Sequence, residues 1–243
     1  MERIKAVFHI HSDYSDDSNL SVERICQLAR DNGIGCLALT DHDTIEGARR
    51  LAELAGPDLQ VIVGQEISTN SGHLIGLFLE RKVEPGQSPR KTAEAVRRQG
   101  GLVVAPHPFN ILFGCSLGRH AREIVDLIDI VEIQNAQNLL PIANWRAEDF
   151  ARRVRRPAIV GCDVHHGDRI DACHFRIPDF EGPQGFLDAL PQAILVKGRH
   201  SLNYFAKTAW LLLRSHLGFG VPPCYGRNCS FDRAASVPVR QSP

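Results

Sequence analysis

Two histidines, His9 and His11, stand two residues apart at the close of the apolar run from Ile4 to Ile10, and Asp163 and His165 repeat that spacing after Ala158 to Cys162. Side chains two apart on a strand point to the same side, so each pair projects together. Further candidates close other apolar runs: Asp41-His42-Asp43 after C-L-A-L-T, Glu66 at the end of V-I-V-G-Q-E, and His107 after V-V-A-P. A lone histidine on an apolar strand is usually a satisfied core residue. Imidazoles and carboxylates recurring at strand ends are another matter, because bare polar groups are costly to bury while a mixture of them is what a cluster of borderline divalent cations needs. Two or three such cations share a water, lower its pKa and align it with a phosphoryl group whose oxygens ligate the same ions. The chain has no G-x-x-x-x-G-K-[ST] loop and no G-x-G-x-x-G fingerprint, so P-loop and dinucleotide readings lose their anchors.

The elements that must position these residues follow from the apolar pattern. Strands are expected at Ile4 to Ile10, Cys36 to Thr40, Leu59 to Glu66, His73 to Leu79, Leu102 to Ala105, Ile130 to Gln134, Ala158 to Cys162 and Ala193 to Val196. Helical patterns lie between most of them: Ser21 to Asn32, Ile45 to Ala55, Ser88 to Gln99, Arg119 to Leu127 and Asn144 to Val154. Such alternation implies a mostly parallel sheet, closed as a barrel or open, in which functional groups gather at the carboxyl ends of the strands. Leu202 to Leu217 reads as an amphipathic helix that packs on this body, with a homodimer contact or a membrane-surface contact as the alternatives. Gly218 to Pro243 is rich in Gly, Pro, Arg and Ser. The expected division is therefore one domain at residues 1–200, with 201–243 as a C-terminal helix and tail.

With 243 residues, 43% hydrophobic and 23% charged, the chain can bury one sizeable core. Its formal net charge of zero announces neither a nucleic-acid field nor an anionic membrane. The N-terminus M-E-R-I-K-A-V-F lacks the apolar stretch of a secretory leader, and seven cysteines without C-x-x-C spacing read as reduced core fillers. A cytoplasmic protein is expected.

The segments H-I-H-S-D-Y-S-D, L-T-D-H-D-T, V-G-Q-E, A-P-H-P and G-C-D-V-H resemble, in order and spacing, the motifs of the polymerase and histidinol phosphatase family, the PHP domain. The resemblance spans Val7 to about Arg199. It implies an α/β fold, a distorted (β/α)7 TIM-like barrel, with two or three divalent ions (zinc, manganese, iron or magnesium) and hydrolysis of phosphate esters. It implies one metal on His9, His11, Glu66 and Asp163, a second on Glu66, His107 and His73, and a third on Asp16, His42 and His165. His73 begins its strand and so fits the strand-end rule poorly. Asp16 competes with Asp13 and Asp17, and spacing from His11 favours Asp16.

Asp41 and Asp43 are either acceptors from an imidazole N–H or helix N-terminal acids. His107, His165 or a metal-bound water are the candidates for protonating the leaving oxygen. Arg119 and Arg199 are candidates for gripping an anion. His166, beside His165, would point to the opposite side of a strand and is not expected to be a ligand, while His120, His174, His200 and His216 lack supporting spacing and read as surface or structural. The reading favoured is a phosphoesterase acting on a small phosphorylated substrate, a phosphomonoester, nucleotide or short oligonucleotide. Histidinol-phosphate phosphatase and a non-catalytic, metal-stabilised binding module are the alternatives.

Overall fold

A computed structural model describes residues 3–110, 115–167 and 169–216. Its strands are β1 (Arg3–Ile10), β2 (Cys36–Leu39), β3 (Gln60–Thr69), β4 (Gly72–Leu77), β5 (Leu102–Ala105), β6 (Ile130–Asn135), β7 (Ala158–Gly161), β8 (His174–Pro178) and β9 (Ile194–Val196). The helices are α1 (Val22–Asp31), α2 (Glu46–Leu54), α3 (Pro89–Arg97), α4 (His120–Glu123), α5 (Pro141–Val154), α6 (Gly182–Ala189) and α7 (Leu202–His216).

The strands form one sheet in the order β7-β6-β5-β4-β3-β2-β1-β8-β9. The first seven curl until the two ends meet. Cys162 N donates to Phe8 O at 3.0 Å, Asp163 N to His9 O at 2.6 Å and His11 N to Val164 O at 3.1 Å. These bonds close a seven-stranded α/β barrel, and β8 is left to pair antiparallel with the first half of β1, from Arg3 to Ala6.

Local chemistry explains the helices that surround it. Ser21 caps α1, accepting from Arg24 N, and Val22, Ile25, Cys26, Leu28 and Ala29 form its buried face. Ser88 caps α3 in the same way, with Pro89 at the first helical position where a missing N–H costs nothing. Beneath the barrel Phe8 stacks on Phe186 of α6 at 5.2 Å and packs on Phe175 of β8 at 5.0 Å. All three rings are fully buried, each contributing roughly 2–3 kcal/mol of burial.

Several expectations need correction. The sheet is less parallel than the alternation suggests, since β4 is antiparallel to both neighbours and β8 and β9 are antiparallel as well. The helix expected at Arg119 to Leu127 is a single turn, and α5 starts three residues before Asn144 because Pro141 can open a helix. Strand β8 and helix α6 went unread: H-F-R-I-P alternates exposed and buried residues over only five positions and ends in proline. Leu217 and the tail from Gly218 to Pro243 lie outside the described residues. Among the described residues no helix is long and apolar enough to cross a membrane.

Candidate metal centre

Glu66 sits near the end of β3 with both carboxylate oxygens surrounded by imidazoles. Its Oε2 lies 3.1 Å from His9 Nε2, 3.2 Å from His11 Nε2 and 3.6 Å from His42 Nδ1. Its Oε1 lies 2.9 Å from His73 Nδ1 and 3.1 Å from His107 Nε2. One side chain therefore faces five rings from β1, the loop after β2, β4 and the loop after β5. The β4 direction accounts for His73. Because β4 returns antiparallel, with Ser68 paired to His73, its first residues reach the mouth that the parallel strands reach with their last.

Asp163 adds a second carboxylate, with Oδ1 3.6 Å from His9 Nε2, His11 Nε2 and His165 Nδ1. Asp17 adds the third, its Oδ2 lying 3.0 Å from His165 Nε2 and 3.3 Å from His42 Nε2. Asp16 and Asp13, by contrast, are exposed. The aspartate brought into the cluster is thus Asp17, not Asp16. Ser15 steers the intervening loop: its Oγ accepts from His42 N at 2.9 Å and donates to Asp41 Oδ1 at 3.1 Å.

The backbone bends where the ligand candidates need it. His9, His107 and Asp163 have φ of 64°, 26° and 50°, the left-handed region that non-glycine residues rarely enter. His9 coincides with a register shift between Phe8 and Ile10, so the close approach of His9 and His11 comes from a bulge rather than from strand alternation alone.

Glu132, on β6, holds the cluster from below. Its Oε1 is 2.8 Å from His9 Nδ1, and its Oε2 accepts from the His107 backbone N–H at 2.6 Å. Asn135 donates to Glu132 at 3.2 Å and to Asp163 Oδ2 at 2.9 Å, and the Gln137 amide nitrogen is 2.7 Å from His165 Nδ1. Carboxylates and amides behind metal-binding imidazoles orient the rings and select the tautomer. None of these three residues was singled out from sequence, although an acid in the middle of I-V-E-I-Q-N was a readable signal.

The remaining candidates fall elsewhere. Asp41 accepts from Ser12 N and Ser12 Oγ at 2.5 and 2.7 Å, and Asp43 from Ser68 N at 2.8 Å, so Asp41 braces the loop after β1 and Asp43 braces β3, and neither accepts from an imidazole in these bonds. Arg199 Nη2 donates to Leu139 O at 2.6 Å, and Arg119 is exposed beside α4. His166 and His200 are buried and stand outside the groups of clustered ligand atoms, His200 in a structural place. The run G-C-S-L-G at 114–118 has the G-x-S-x-G spacing of a serine nucleophile, but Ser116 Oγ is engaged, donating to Pro108 O.

Charge balance gives the strongest test of whether cations fit. Burial pulls the His9 and His42 pKa values down, yet the carboxylates around them win: Asp163, Glu132 and Glu66 hold His9 well above its usual range, and Asp17 and Glu66 raise His42 to about 10. Asp17 raises His165 against its burial in the same way. His11 goes the other way, to about 3, because burial and the charges of His165 and His42 oppose its protonation. The carboxylates thus demand positive charge that protons supply only unevenly. His11 Nε2 and both oxygens of Asp17 are buried without a well-formed hydrogen bond. Such lone pairs converge as they would around a cation. Four overlapping groups have ligand atoms within 4.8 Å of one another: His11, Asp17, His42 and His165; His9, His107 and Asp163; His9, His11 and Glu66; His42, Glu66 and His73.

A barrel whose mouth gathers six imidazoles and three carboxylates has the donor set of a protein that could bind metal ions there. Residues 8–144, more than half of the chain, match the PHP domain, and the chain belongs to that family. It is 37% identical over 153 residues to the uncharacterized protein MJ1587 of Methanocaldococcus jannaschii, covering 58% of this chain and 87% of that one. Among solved structures, a two-domain protein from Bacteroides vulgatus ATCC 8482, described as containing a predicted PHP-like metal-dependent phosphoesterase, superposes with a TM-score of 0.67 at 18% identity. That match covers 81% of this chain, which spans only 65% of the larger protein. The lesion-specific endonuclease EndoQ of Pyrococcus furiosus superposes with a TM-score of 0.61 at 14% identity, covering 86% of this chain and 66% of that one. At these identities the likeness to the two structures is one of fold.

Proposed function

We propose that the chain is a metal-dependent phosphoesterase that hydrolyses a small phosphomonoester, a nucleotide or a short oligonucleotide. The observation that carries this reading is Glu66, whose two oxygens face separate sets of imidazoles, as a carboxylate shared between two cations would. In this reading His9, His11, Glu66 and Asp163 hold one ion, Glu66, His73 and His107 a second, and Asp17, His42 and His165 a third. Divalent ions in such a cluster supply Lewis acidity toward phosphoryl oxygens and an activated water for in-line attack.

The protein's own groups set the terms for that chemistry. Glu132 fixes the His9 ring and the His107 backbone, so the angle between β1 and β5 candidates is set before substrate arrives. Both ring nitrogens of His165 have close partners, Asp17 and the Gln137 amide. His107 Nδ1 is buried with no hydrogen-bond partner among the described residues, so the choice between the two for moving a proton rests with kinetics of the His107→Ala and His165→Ala proteins. Tyr14, between His11 and Asp17 in the chain, and Leu139 and Leu140, just after Gln137, are exposed apolar side chains adjacent in sequence to cluster residues, and such groups suit an aromatic leaving group such as a nucleoside.

The test is turnover of an aryl phosphate and of nucleoside phosphates with added manganese or zinc. Metal-dependent turnover is expected, with Glu66→Ala far more damaging than a change at exposed Leu202. Absence of metal-dependent turnover across the panel would favour a binding module instead.

A further inference from the structure

We propose that helix α7 is a working part of the metal centre, with Tyr204 as a positioning residue that holds the segment bearing Asp163 and His165. The proposal rests on the metal-centre reading above and extends it to a helix beyond the residues that match the family.

The Tyr204 ring is buried between two imidazoles. His200 stacks on one side at 3.8 Å and 13°, and His166 at 4.0 Å and 17°. The Tyr204 hydroxyl oxygen accepts the backbone N–H of His165 at 3.1 Å. Two further bonds tie the same elements together: His200 Nε2 donates to Cys162 O at 2.8 Å, and His166 Nε2 is 2.8 Å from Thr208 Oγ1.

Backbone accounting shows what this arrangement secures. In the segment after β7, Cys162 N and Asp163 N donate to β1, and Val164 O accepts from His11 N. His165 O accepts from Asn19 N and Ser18 Oγ. The N–H of His165 and the carbonyl of Cys162 are met instead by α7 and by His200, two residues before it. A buried N–H left without a partner is expensive. Asp163 is also held at φ 50°, a conformation from which an aspartate relaxes unless its surroundings prevent it. Loss of the phenol oxygen removes one of those restraints directly beside a ligand candidate.

Tyr204→Phe in the full chain is the test, because it keeps the stacked ring and deletes only the hydroxyl. Manganese and zinc titrations under chelator competition, with hydrogen exchange at the His165 amide, provide the readouts. One class of metal should weaken roughly 10- to 100-fold, the range for residues that orient ligands, while the others hold. The His165 amide should exchange faster, and Leu202→Ala on exposed α7 surface should change neither. A Tyr204→Phe protein that binds every metal as the parent does, even with a lowered melting temperature, would reduce α7 to packing and overturn the proposal. A parent chain that takes up no metal would instead overturn the metal-centre reading, and this proposal with it.

Discussion

Glu132 Oε1 lies 2.8 Å from His9 Nδ1, and it can do so only because residue 161 is glycine. A Cβ on Gly161 would fall 1.5 Å from that same oxygen and 3.1 Å from the His9 Cβ. Strand β7 therefore lacks a side chain at the point where β6 reaches across to orient a ring on β1.

Glu132→Gln and Gly161→Ala should produce the same defect by different routes. The first removes the acceptor charge behind His9, and the second forces the carboxylate aside. Each is expected to lower affinity for the metal on His9 by roughly 10- to 100-fold. Metal content after dialysis against a graded chelator series measures this without requiring activity. A Gly161→Ala protein with parental affinity would show that Glu132 finds another route to His9.

Asp17→Asn should cost at least roughly tenfold in affinity for the ion shared with His42 and His165, since it removes a direct ligand candidate rather than an orienting one. Asp16→Asn, on an exposed side chain, should be neutral. Parallel titrations of the two variants decide the matter; the reverse ranking would return the assignment to Asp16.

That pair marks where sequence stops being legible. His9, His11, His42, Glu66, His107, Asp163 and His165 could be picked out because strand ends in a parallel barrel share one mouth. Asp17 lies in a loop, where no periodicity says which of three nearby aspartates turns inward; the hydrogen bonds of Ser15 decide it. His73 broke the strand-end rule only because β4 runs backwards, and direction is not written in an apolar run. The barrel was readable from alternation, while its closing seam at His9 and Asp163 depends on left-handed backbone that residue type does not announce.

Metal uptake should release protons near neutral pH. In the metal-free chain the Asp17 and Glu66 charges outweigh burial and raise His42 to about 10, so this ring carries a proton at neutrality that a cation must displace. Apparent affinity should therefore rise with pH through neutrality, and the binding enthalpy should vary with the ionisation enthalpy of the buffer. Stability of the metal-free protein runs oppositely. The His42 contribution is complete below the unfolded value of about 6.5 and fades as pH climbs toward about 10. Calorimetry giving the same enthalpy in phosphate-free buffers of different ionisation heats would refute the proton exchange.

Arg119 and Arg199 were both candidates for gripping an anion, and their surroundings now separate them. The Arg199 guanidinium is engaged with the loop after β6, donating from Nη2 to Leu139 O at 2.6 Å and Asn138 O at 3.4 Å. Arg119 is exposed, with no acidic partner within ion-pair distance among the described residues, in the segment that leads on from His107. Arg119→Ala should raise KM for a phosphorylated substrate roughly tenfold, the loss of one charge-assisted hydrogen bond, with metal content unchanged. Arg199→Ala should act less on KM, because its donors already serve backbone carbonyls. Steady-state kinetics beside metal analysis distinguishes the two, and an unchanged KM in Arg119→Ala would remove that residue from the substrate's path.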